Sequence, residues 1–213
     1  MKTKKEINRI ISWFQNHMPN PESELHYKDP FSLLVAVMLS AQCTDKRVNM
    51  VTPALLKRYP TPDHMAAATP QEVFPYIRSV TYPNSKAKHL VEAARVLKEQ
   101  FGGRVPSTVE ELQQLPGVGR KTAHVIASVA FNKPVIAVDT HVYRISRRLG
   151  LSDGTTPLAV EKDLNLQFPP EYRARAHHWL ILHGRYVCTA RKPKCETCGL
   201  SACCDTYKKD NTP

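Results

Sequence analysis

The sequence predicts an all-α protein, because helix-start signals recur along the chain, apolar residues repeat at helical spacing, and strand signals are almost missing. Asp29-Pro30 supplies an N-cap and a proline at the first helical position, so the apolar run 31–39 that follows reads as a buried helix. Thr69-Pro70-Gln71-Glu72 and Ser107-Thr108-Val109-Glu110 both read as capping boxes, with Glu at the third helical position. Between them Ala87, Leu90, Val91, Ala94, Leu97 and Phe101 keep helical spacing until Gly102-Gly103 stops the run. Residues 122–131 and 142–149 continue the pattern. Thr156-Pro157 starts a further helix that Pro169-Pro170 ends, and 171–184 form one more. The four residues 135–138 are the only strand-like run and read as extended chain. The 17 prolines fall mostly at these boundaries, and 208–213 read as a frayed polar tail.

A chain of 213 residues forms one large domain or two small ones, with room for a hydrophobic core. Its formal charge of +11 implies a polyanionic partner, since each phosphate contact releases a condensed counterion. Charge alone does not separate DNA from RNA or an anionic membrane. Residues 1–9 are basic but lead into no cleavable apolar segment. The run 31–39 is about half of what a bilayer span needs, so a cytoplasmic protein without membrane association is expected.

Leu115-Pro116-Gly117-Val118-Gly119 lies between a capped helix and an apolar-periodic one. Two glycines so close allow a tight helix–helix turn and leave backbone N–H groups uncovered at a helix N-terminus, where dipole and donors favour a phosphate. A plain helix–turn–helix corner would look similar. Arg120 and Lys121 follow at once and favour phosphate binding. Asp139 emerges from an apolar run and opens a helix, where capping that helix and acting as a catalytic anion are compatible roles.

Cysteines Cys188, Cys195, Cys198 and Cys204 have the spacing C-x6-C-x2-C-x5-C and point to one compact metal centre. One close pair plus two outliers suits an iron–sulfur cubane better than zinc, although zinc stays open on spacing alone. Spacing also leaves Cys203 and Cys204 as alternatives. Cys43 reads as a small buried hydrophobe. His177, His178 and His183 read as core or phosphate-facing residues rather than a second metal site, since acidic ligands are not near them.

The stretch Leu-Pro-Gly-Val-Gly-Arg-Lys-Thr-Ala (115–123), with Val-Asp-Thr-His (138–141), resembles the helix–hairpin–helix DNA glycosylase superfamily and, within it, the endonuclease III family. The similarity extends through Leu39-Ser40-Ala41-Gln42-Cys43-Thr44-Asp45, Asn84-Ser85-Lys86-Ala87, and 177–186. The resemblance implies two helical lobes, a barrel domain over 22–132 that ends with the hairpin, and a cluster domain from 1–21 and 133–213, with Lys121 and Asp139 facing one another across the cleft. It implies one [4Fe–4S] cluster on Cys188, Cys195, Cys198 and Cys204, which leaves Cys203 as a spare thiol. It implies a monomer, nucleoid-associated, that acts on double-stranded DNA containing damaged pyrimidines or abasic sites.

The implied activity is bifunctional: excision of an oxidised pyrimidine, then cleavage 3′ to the abasic site by β-elimination. Lys121 would attack C1′ and form a Schiff base, and Asp139 would stabilise positive charge on the sugar. A lysine suits both steps only with its amine neutral, which calls for desolvation or a neighbouring cation such as Arg120. Base flipping is required, with Gln42 filling the gap and the loop around Tyr82 wedging the opposite strand. Gly117, Gly119, Arg120, His141, Arg185, Arg191, Lys192 and Lys194 would meet the DNA. His124 stands where the family commonly has Asn, and Thr81-Tyr82-Pro83 replaces its Gly-Leu-Tyr type of wedge. Two rivals share parts of this pattern. An adenine-mispair glycosylase of the same superfamily would carry a catalytic Glu on the helix before Gln42, where this chain has only apolar residues. A non-catalytic helix–hairpin–helix DNA-binding protein would bind without incision.

Overall fold

The computed structural model describes residues 1–210, and helices are the only regular elements among them. Residues 135–138 run as extended chain without strand pairing. The chain divides into two compact units, one of Ser23–Lys133 and one that joins Met1–Glu22 to the residues from Pro134 onward.

Helix α1 (Lys4–His17) opens on a capping box between Thr3 and Glu6. The contiguous unit then holds α2 (Pro30–Ser40), α3 (Asp45–Arg58), α4 (Pro62–Ala66), α5 (Pro70–Ile77), α6 (Pro83–Gln100), α7 (Val109–Leu112) and α8 (Arg120–Phe131). Asp29 caps α2 and Ser32 caps back, while every residue from Phe31 to Leu39 is buried. A helix apolar on all sides has to be enclosed on all sides, and α2 packs on α3, α6 and α8. Thr69 and Glu72 form the expected capping box on α5.

At α7 the expected register is corrected by one residue. The N-cap is Thr108, whose hydroxyl accepts from Glu111 N–H and meets the Glu111 carboxylate at 2.6 Å. Ser107-x-x-Glu110 and Thr108-x-x-Glu111 satisfy the same local pattern, and burial of Leu112 selects the second.

The second unit completes itself with α9 (Thr140–Leu149), α10 (Pro157–Gln167), α11 (Pro170–Tyr186) and α12 (Asp205–Asp210). Ile7, Ile10, Ile11 and Phe14 of α1 share one core with Val142, Ile145 and Leu149 of α9 and Trp179 and Leu180 of α11. The rings of Phe14 and Trp179 stack at 5.5 Å with 4° between planes, and Trp179 Nε1 donates to Met18 O at 2.8 Å. Each such side chain contributes about 1.5–3 kcal/mol by burial, so α1 is held by its apolar face. Lys2 at the start of the chain pairs with Asp205 at the start of α12.

The polar tail expected over 208–213 is corrected in part: Lys208, Lys209 and Asp210 belong to α12. The last three positions lie outside the described residues. Cys43 is half-buried rather than enclosed, because it sits beyond the C-terminal end of α2 and not in the core.

Candidate active site and cysteine centre

In the contiguous unit the turn between α7 and α8 is shaped by Gly117 at φ +79°, a left-handed conformation that side chains resist. A Cβ on Gly117 would also lie 2.8 Å from His89 Cβ on α6. Gly119 differs. It is the N-cap of α8 in extended conformation, and a Cβ there would meet nothing within 4 Å. Its value is an uncovered backbone at the N-terminus of a 12-residue helix, with Arg120 and Lys121 exposed in the first turn.

The same unit brings Gln42, Tyr82 and Gly117 around one hollow of about 250 Å³, with Met38, Ala41, Ser85, Lys86 and His89 completing its lining. Gln42 and Tyr82 are both left-handed, at φ +53° and +54°. Tyr82 is 61% exposed, large for an aromatic ring.

In the other unit Asp139 caps α9. Its Oδ1 accepts from His141 N at 2.9 Å and from Val142 N at 2.8 Å, and Oδ2 has no hydrogen bond among the described residues. One oxygen therefore organises the helix while the other stays available for chemistry. His141 Nδ1 meets Arg144 Nη2 at 3.3 Å. Lys121 belongs to one unit and Asp139 to the other.

Cys188, Cys195, Cys198 and Cys204 line one cavity, whereas Cys203 is buried in the core and contributes nothing to that lining. Among the described residues no three Cys, His, Asp or Glu side chains close on a common point as a single-ion site requires. Burial pushes the Cys198 and Cys204 thiols up, and the neighbouring cysteines add to the shift. Positive charge placed among them would favour the Cys198 and Cys204 thiolates. Arg191, Lys192 and Lys194 are exposed on the intervening loop, and Arg185 is half-buried at the end of α11. His177 and His183 are core residues, as expected, with His177 Nδ1 bonded to Ala137 O at 3.1 Å.

Two arginines that the sequence reading passed over hold this loop. Arg144 donates to Cys188 O at 3.1 Å and Gly184 O at 2.7 Å, and Arg148 donates to Thr189 O at 2.7 Å and Ala190 O at 3.0 Å. Their i,i+4 spacing on α9 was the available signal. Lys86 and Thr81, which bond to the backbone near Gln42, gave no such signal.

One unit carries a tight turn between helices with a basic first turn after it, and the other carries a loop whose four cysteines line one cavity. The model of the HhH-GPD superfamily base excision DNA repair protein matches residues 35–170. The chain is 45% identical over 201 residues to endonuclease III of Rickettsia conorii, covering 94% of this chain and 96% of that protein. It is 42% identical over 200 residues to endonuclease III of Escherichia coli K12, covering 94% and 95%. A solved structure of a trapped endonuclease III–DNA covalent intermediate, an estranged-adenine complex, superposes with a TM-score of 0.91 at 42% identity and covers 100% of both chains. The chain therefore belongs to the endonuclease III family of the HhH-GPD superfamily. No described helix is long and apolar enough to cross a membrane.

Proposed function

We propose that this protein is a base excision repair enzyme, a DNA glycosylase and abasic-site lyase for oxidised pyrimidines in duplex DNA, with Lys121 as nucleophile and Asp139 as its acidic partner. The observation that carries the reading is Lys121 in the first turn of α8, directly after a turn that Gly117 alone can shape. The turn anchors a phosphate through backbone N–H groups and so delivers the adjacent lysine to the sugar.

Lys121 Nζ attacks C1′ as the bond to the damaged base breaks, and the base departs with the bonding electrons and takes up a proton. The sugar ring opens to a Schiff base on Nζ. Loss of a C2′ proton then expels the 3′ phosphate, and water releases the enzyme from the product. Asp139 Oδ2 is the oxygen assigned to stabilise positive charge on the sugar and to assist proton transfer. Lys121 is exposed in the protein by itself, so no side chain of its own fold has to move aside for it to meet the sugar. Gln42 and Tyr82 present exposed side chains suited to filling the gap and separating strands. Gly119, Arg120, His141, Arg185, Arg191, Lys192 and Lys194 are assigned to the DNA backbone.

Cys188, Cys195, Cys198 and Cys204 would hold one [4Fe–4S] cluster. A cubane takes its ligands around a volume rather than a point, which suits four thiols lining a cavity. A cluster held there would cross-link a loop that Arg144 and Arg148 already hold to α9.

The test is a duplex with one thymine glycol, incubated with and without borohydride and resolved on a denaturing gel. Incision and a covalent adduct are expected, with the adduct absent in Lys121→Gln while DNA binding persists. An adduct that survives in Lys121→Gln overturns the assignment of the nucleophile.

A further inference from the structure

The last four carbonyls of a helix have no partners within it. At the end of α2 the usual remedy, a glycine in left-handed conformation, is absent: Ala41 follows, and Gln42 itself adopts φ +53°. Lys86, in the first turn of α6, reaches across instead. Its Nζ donates to Leu39 O at 2.8 Å and to Ala41 O at 2.7 Å. Lys86 is only 7% exposed and has no carboxylate partner among the described residues. Burial pushes its pKa down from the ordinary lysine value.

An unpaired buried ammonium is costly, and a methionine or leucine would fill the same space more favourably. What the cation gains is the negative end of α2 and two carbonyls that flank Ser40. Immediately beside it, Thr81 Oγ1 donates to Gln42 O at 2.6 Å, and Tyr82 stands at φ +54° as the N-cap of α6. Three side-chain hydrogen bonds thus stitch residues 81–86 to residues 39–42. Left-handed backbone is disfavoured for a non-glycine residue and persists only where the surroundings fix it. Both left-handed residues here are exposed, and both border the same hollow as Lys86.

We propose that Lys86 is a positioning residue for strand separation: its ammonium, bridging Leu39 O and Ala41 O, holds Gln42 and Tyr82 in the one pose that can enter a base stack. The proposal rests on the glycosylase reading and assigns to Lys86 no contact with DNA. Its consequence is selective. A substrate whose target must be levered out of a paired duplex depends on Lys86, whereas an abasic site in single-stranded DNA has no opposing strand to part.

The experiment compares Lys86→Met, Lys86→Arg and the unsubstituted protein on two substrates, a duplex with thymine glycol opposite adenine and a single-stranded oligonucleotide with an abasic site. Lys86→Met is expected to lower the duplex-to-single-strand ratio of kcat/KM by about tenfold or more, the rate equivalent of one lost charged hydrogen bond. Lys86→Arg, which keeps two donors and the charge, is expected to restore most of that ratio. In parallel, 2-aminopurine opposite the lesion should brighten on binding the unsubstituted protein and stay dim with Lys86→Met. Thr81→Val removes the neighbouring bond from an exposed position and is expected to shift the ratio in the same direction, which keeps the idea testable if Lys86→Met folds poorly. An unchanged ratio in both Lys86→Met and Thr81→Val overturns the proposal alone. Failure of the unsubstituted protein to trap on either substrate overturns the glycosylase reading and the proposal with it.

Discussion

Asp139 serves two purposes in this reading, and substitution can separate them. Its Oδ1 accepts from the His141 and Val142 amides, so the helix needs an acceptor there, and the chemistry needs the negative charge. Asp139→Asn keeps the acceptor and removes the charge. Asn and Asp are equivalent N-caps, so the cost is the charge–dipole interaction alone, about 0.3–1 kcal/mol. At about 2–4 °C per kcal/mol for a chain of this size, the melting temperature should fall by less than about 4 °C. Asp139→Ala removes the acceptor as well and leaves two amides unsatisfied, which adds about 1 kcal/mol and brings the fall to roughly 3–8 °C. Excision should behave differently, falling by about 10²–10⁴-fold in both variants, because neither retains the anion. The assay is single-turnover excision of thymine glycol, beside thermal melting followed by circular dichroism. If Asp139→Asn excises within about tenfold of the unsubstituted protein, the residue is a cap and nothing more.

Gly117→Ala forces a side chain into φ +79° and against His89, at a combined cost of about 2–4 kcal/mol; melting should fall by roughly 5–15 °C. Gly119→Ala meets no obstacle, so its melting should shift little while DNA affinity in a filter-binding titration drops. Burial holds the recessed His178 ring at about 4, below its ordinary 6.5. The unfolded chain therefore takes up the proton first as pH falls, and stability present above about 6.5 is lost progressively toward pH 4, by at most about 3 kcal/mol. His178→Gln should flatten that part of a urea-denaturation profile against pH. For the cysteine centre, anaerobically purified protein should contain four irons and absorb in the visible thiolate-to-iron band. Cys204→Ala should lose both and Cys203→Ala should keep both; the reverse would exchange their roles.

Much of the fold was legible because its signals are local. Asp29-Pro30 announced α2, Thr69 with Glu72 announced α5, and Asp139 announced α9, since a cap and the amides it serves lie within three residues. The error at α7 has the same origin: two overlapping capping patterns are locally equivalent, and only the burial of Leu112 decides between them. What stayed hidden depends on distant partners. Phe14 stacks on Trp179 and Lys86 reaches Leu39 O, and each residue taken alone looks like any apolar or basic residue on a helix. Spacing did not distinguish Cys203 from Cys204 either, and their difference in setting, Cys204 lining the cavity and Cys203 turned into the core, depends on packing with distant residues.

The interrupted unit also imposes an order on the making of the chain. Residues 23–133 are continuous, so their core can close as soon as they leave the ribosome. Helix α1 emerges before all of them, yet the aromatic ring it must cover, Trp179, is translated far later. At about 5–20 residues per second, Trp179 follows residue 133 by roughly 2–9 s. Through that interval the partners of Ile7, Ile10, Ile11 and Phe14 on α11 have not yet been made. The core that α1 shares with α9 and α11 closes only when α11 arrives, so the unit that bears Asp139 is completed last.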